Sequence, residues 1–126
     1  MNKYLLVLVT FSLFTALSAN AKTSIGYDSV ESALTALKSK QGAQFSQQGG
    51  WTIVAEQEDG DYVLWSFTPT DHDAHPAAVK RKIVEKDKQI HIEMTALCQA
   101  SKPQCDALIE EFKLLNDKIR QSMSQQ

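Results

Sequence analysis

The chain has 126 residues, 43% of them hydrophobic, with 13 Lys and Arg against 15 Asp and Glu and a net charge of −2. That length bounds one small domain, large enough for a real core but without room for a second. The slightly acidic balance is a statement about solubility and gives no general support for nucleic-acid binding, so no nucleic-acid partner is expected.

The N-terminus stands apart from the fold. Lys3 supplies a positive charge, Tyr4 to Leu17 is a mostly apolar run, and Ala19-Asn20-Ala21 is a small-x-small cleavage site. This is the three-part pattern of a secretory signal peptide. The run falls short of the roughly 20 apolar residues that a comfortable span needs. The expectation is a signal peptide over 1–21 and a mature domain over 22–126, periplasmic or secreted, with no membrane span after cleavage. Loss of Lys3 makes the mature chain one unit more negative. The polar tail from about Gln121 is expected to fray.

Asp28-Ser29-Val30-Glu31 predicts the start of a helix, with Asp28 as cap and Glu31 reaching back. Val30, Ala33, Leu34 and Leu37 then recur at helical spacing, and Gly42 is a natural stop. Ala43 to Gly50 reads as a polar connector anchored by Phe45, with Gly49-Gly50 as a turn into a strand. Trp51 to Glu58 predicts the first strand. Asp59-Gly60 between two β-type runs is a hairpin signal, because Gly suits the positive φ such a turn requires. Tyr62 to Thr68 follows as the second strand, with Val63, Trp65 and Phe67 on one face.

Pro69 to Pro76 predicts a loop, since proline cannot donate to a ladder. Ala78 to Lys86 and Gln89 to Thr95 predict the third and fourth strands, turned at Asp87-Lys88. Ser101-Lys102-Pro103-Gln104 then opens a long helix. Its apolar stripe is Cys105, Leu108, Ile109, Phe112, Leu115 and Ile119. The predicted fold is α+β: an N-terminal helix, a four-stranded antiparallel meander, and a long C-terminal helix packed on one face. The helices cover that face, and the other is left partly wet.

Cys98 and Cys105 are the only cysteines. An even count in an exported chain favours a disulfide, and closing so short a loop is worth roughly 2.5 kcal/mol by chain entropy. Their spacing carries no metal or redox signature. The bond would clamp the start of the last helix to the sheet edge.

The stretch from Trp65 to Ile83 concentrates the chemistry. Asp71-His72-Asp73-Ala74-His75 holds two of the three histidines. Imidazole with carboxylate suits zinc or copper, which makes His72, His75, Asp71 and Asp73 candidate ligands. Against this, the spacing lacks the one-face geometry of two helical histidines, and no cysteine is free to complete the set. The plainer reading is a solvated turn whose aspartates bond local amides.

Lys80-Arg81-Lys82 follows on a strand. Alternation puts Lys80 and Lys82 on one face and Arg81 on the other, beside Val79 and Ile83. If that second face is core, Arg81 needs a carboxylate, with Glu56, Glu93 and Asp61 as candidates. If it is open, Arg81 can hold an anionic ligand bidentately. A strand edge guarded by lysines against aggregation is the competing account. An exposed tryptophan beside the polar loop would serve as a recognition anchor. Trp65, Lys80, Arg81 and Lys82 are therefore the candidate ligand contacts.

No Gly-rich phosphate loop or nucleophile elbow is present, and the disulfide uses both thiols. Catalysis and cofactors are not expected. No named family emerges from these residues. The leading functional expectation is a small exported binding module that contacts a protein or an anionic envelope ligand. A metal-binding protein centred on the His/Asp loop is the second reading. An inhibitor or immunity-type protein against a cell-wall enzyme is the third.

Overall fold

A computed structural model describes residues 25–124 of the chain. The proposed signal peptide and its cleavage site lie outside the described residues. The order is α1 (Val30–Lys38), β1 (Gln44–Gln48), β2 (Trp51–Glu58), β3 (Asp61–Phe67), β4 (Ala77–Lys86), β5 (Gln89–Cys98) and α2 (Lys102–Ser124). The strands form one antiparallel sheet in the order β1-β2-β3-β4-β5, so the predicted meander holds with one strand more than expected. Among the described residues no helix is long and apolar enough to cross a membrane.

The extra strand is β1, the segment read as a connector. It pairs along its whole length with β2, from Gln44 opposite Ala55 to Gln48 opposite Trp51. Every β1 side chain is exposed, so no apolar alternation is needed to hold it. Gly49 and Gly50 both have positive φ, which makes their turn a two-residue hairpin with the twist that adjacent strands require. Asp59-Gly60 and Asp87-Lys88 repeat this geometry at the next two tight hairpins. The predicted break at the prolines is the one long strand connection.

The cap of α1 is Ser29, one residue later than expected. Its hydroxyl accepts from Ser32 N–H at 3.0 Å, and the Ser32 hydroxyl accepts from Ser29 N–H at 3.1 Å. This is a reciprocal capping box with serine in place of the expected Glu31. A distant residue satisfies a further free amide of the first turn: Val30 N–H donates to Gln99 Oε1 at 3.1 Å.

The two helices cover opposite faces of the sheet, which corrects the expectation that both lie on one. Val30, Ala33 and Leu37 of α1 pack with Ile25 on Val54, Val63, Trp65, Phe67 and Ala78. Leu108 and Phe112 of α2 pack on Ala77 and Val79, together with Ala74 of the loop. Ala78 belongs to one cluster while its neighbours Ala77 and Val79 belong to the other, as strand alternation demands. Burying each Val or Leu of α1 contributes roughly 1.5–3 kcal/mol, which anchors a nine-residue helix too short to be stable alone.

The Cys98–Cys105 disulfide is formed. It joins the end of edge strand β5 to the first turn of α2, as the spacing predicted.

Candidate functional site

The three consecutive cations of β4 separate as alternation requires, and their fates differ. Lys80 and Lys82 lie on the α1 side of the sheet. Lys80 Nζ stands 2.8 Å from Glu58 Oε2 and 5.3 Å from the centre of the Trp65 ring. Lys82 Nζ stands 3.4 Å from Asp61 Oδ2. The Lys80 hydrogen bond holds the Glu58 carboxyl below its ordinary pKa, against an opposing effect of burial. Both lysines are thus neutralised by neighbours on the same face.

Trp65 was a candidate ligand contact and is instead core. It is 1% exposed, and its Nε1–H donates to Glu56 Oε1 at 3.0 Å. Glu56 is itself buried, and its second oxygen stands 2.6 Å from Lys40 Nζ. The hydrogen bond to Glu56 raises the Lys40 pKa above the ordinary lysine value, against partial desolvation. Lys40 follows α1 while Glu56 and Trp65 belong to β2 and β3, so this charge-assisted cluster ties the end of the helix to the sheet.

Arg81 sits on the other face, beneath α2. It is 6% exposed. None of the carboxylates proposed for it is available: Glu56 serves Lys40 and Trp65, Asp61 serves Lys82, and Glu93 lies opposite Lys82 in the register. All three belong to the α1 side. Among the described residues the Arg81 guanidinium makes no hydrogen bond and no ion pair, and its Nε is fully buried without a partner. Its guanidinium lies over the Phe112 ring, with 5.1 Å from the guanidinium carbon to the ring centre. Burial lowers the Arg81 pKa, but a guanidinium stays charged in proteins.

Arg81 lines a cavity of about 300 Å³ between the sheet and α2. Trp51 and Ile53 of β2, and Phe112 and Leu115 of α2, supply its apolar walls. Trp51 and Phe112 pack at 5.7 Å between ring centres. Ser66 and Gln48 add polar groups, and Glu111 stands at the rim. Nearby, buried Asn116 donates through Nδ2 to Met94 Sδ at 3.4 Å and leaves its Oδ1 without a partner. Met94 faces Arg81 across the β4–β5 ladder. The half-buried tryptophan beside the polar loop is therefore Trp51, whose ring lies 5.1 Å from that of His72.

The His/Asp loop is held largely through its histidines. His72 Nδ1 accepts from Ala74 N–H at 3.0 Å. His75 Nδ1 lies 2.9 Å from Thr68 Oγ1 and 3.2 Å from Thr68 O. Thr68 Oγ1 also accepts from Ala77 N–H at 3.0 Å, so the loop closes like an extension of the β3–β4 ladder. Asp71 and Asp73 are exposed. Among the described residues no group of three or more His, Cys, Asp or Glu side chains is arranged to hold a metal ion.

Sequence reasoning set Arg81 opposite Lys80 and Lys82 by strand alternation but left open whether its face was core or open. It missed Phe112 and Leu115 as neighbours, because an apolar helical stripe does not say which strand it will cover. Compared with known proteins, the chain matches no protein family, no curated protein and no solved structure.

Proposed function

We propose that this protein is a small exported binding module, not an enzyme, which holds an anionic group of its ligand against Arg81 in the cavity between the sheet and α2. The observation that carries this reading is the buried, unpartnered Arg81 guanidinium on the floor of an open cavity. A charge taken out of water without a partner is costly, and structures keep one where a ligand completes it. The aromatic and aliphatic walls match the make-up of small-molecule sites, which are mostly apolar with a few fixed polar groups. The disulfide is in keeping with an oxidising compartment. Lys80 and Lys82, each paired on the opposite face, play no part in this site.

Binding to the native state raises the melting temperature by mass action. The test is a series of thermal melts at fixed ionic strength with acetate, octanoate, phosphate and sulfate. At least one anion should raise the Tm of the wild type while leaving Arg81→Met unmoved. Melting curves indifferent to every anion, or a variant that responds as the wild type does, would remove the cavity from consideration.

A further inference from the structure

We infer that the ligand of the Arg81 cavity is a small organic monocarboxylate with an apolar body, an inference that rests on the anion-binding reading above. The site's charge count is the first reason. One cation lies at the floor, and Glu111 stands at the rim. The next cations along β4, Lys80 and Lys82, point to the other side of the sheet and are paired there with Glu58 and Asp61. A dianion such as phosphate would leave one of its charges unmatched beside a carboxylate, whereas a single negative charge is balanced by Arg81.

Geometry is the second reason. Phe112 occupies one side of the guanidinium, which leaves the edge with its N–H groups for the ligand. A guanidinium edge matches a planar carboxylate through two parallel hydrogen bonds. That edge is the pair of terminal Nη groups, since Nε is sealed from solvent.

The walls are the third reason. Trp51, Ile53, Phe112 and Leu115 surround the approach to Arg81, so a ligand that is only a carboxylate would leave most of the lining unused. The volume of about 300 Å³ is at the small end of the range for ligand sites.

Isothermal titration of the purified protein with octanoate, acetate, phosphate and octan-1-ol tests this. Octanoate should bind at least about tenfold more tightly than acetate, given the apolar surface its chain buries. It should also outbind phosphate and the neutral alcohol. Arg81→Met should weaken octanoate by about 10- to 100-fold, the worth of hydrogen bonds to a charged group. Arg81→Lys keeps the charge without the planar edge and should fall between the two. If Arg81→Met fails to fold, the ligand series on the wild type still decides. Phosphate binding more tightly than octanoate overturns the monocarboxylate and leaves an anion site standing. Equal binding of octanoate and octan-1-ol, or of octanoate to wild type and folded Arg81→Met, reduces the effect to adventitious apolar binding. Binding of no anion at all overturns the anion-binding reading with it.

Discussion

Glu56 and Arg81 are both charged and both buried, one on each face of the same sheet, yet their environments predict opposite responses to mutation. Glu56 has a partner at each oxygen, a hydrogen bond from Trp65 at one and an ion pair with Lys40 at the other. Replacing it with Ala strips the buried Trp65 N–H of its acceptor, so Glu56→Ala should lose about 2–3 kcal/mol in urea unfolding. Lys40 is largely exposed and can turn to water, which keeps the loss below that of a fully buried pair. Arg81 has no such partners. A methionine of similar length would keep its packing against Phe112 and shed an uncompensated charge, so Arg81→Met should be neutral or more stable by about 1 kcal/mol. Such a gain, with binding lost, is the signature of a residue kept for function at some expense of stability. An Arg81→Met loss as large as that of Glu56→Ala would assign Arg81 to the framework instead.

The elements follow local chemistry closely where the residues are strong formers. The Asp59-Gly60 turn, the proline-bracketed loop and the apolar stripe of α2 were all legible in the sequence, and so was the separation of Arg81 from Lys80 and Lys82, though not whether its face would be core or open. β1 was not, because Gln44-Phe45-Ser46-Gln47-Gln48 is polar on both faces and its pairing rests on backbone hydrogen bonds to β2. The available signal was Gly49-Gly50, a two-residue turn of hairpin type that requires a strand on each side. The Asp87-Lys88 turn is the one tight hairpin without glycine, and Lys88 stands at φ 63°. A side chain in that region costs about 1–2 kcal/mol, while glycine's extra chain entropy costs about 0.5–1. Lys88→Gly should therefore raise stability by up to about 1 kcal/mol. An unchanged or lower denaturation midpoint would mean that this conformation carries no net strain.

At the scale of the molecule, the sequence did not reveal how the helices are distributed, and the reason is physical. β2 and β4 carry apolar residues on both faces, a pattern compatible with either one covered face or two. Chain order does not choose between them. The structure answers with two cores, one under α1 and one under α2, divided by the sheet and sharing β4 through alternate residues. Strands β3 and β4 are held from both sides, with Val63, Trp65 and Val79 nearly inaccessible. β1 is held only along one edge, by its ladder to β2. Stability should therefore be graded across the sheet. In native-state hydrogen exchange, the hydrogen-bonded amides of β3 and β4 should open only with global unfolding. Those of β1 should exchange through local opening at a free energy several kcal/mol lower, because little apolar surface is uncovered when the edge peels away. Gln48 and the Trp51 wall flank the cavity at that same edge. A ligand seated against Arg81 should thus raise protection at the Gln48–Trp51 end of the β1–β2 hairpin more than at its Gln44 end. Uniform protection from β1 to β4 would show instead that the sheet opens as one unit and that the edge is no weaker than the centre.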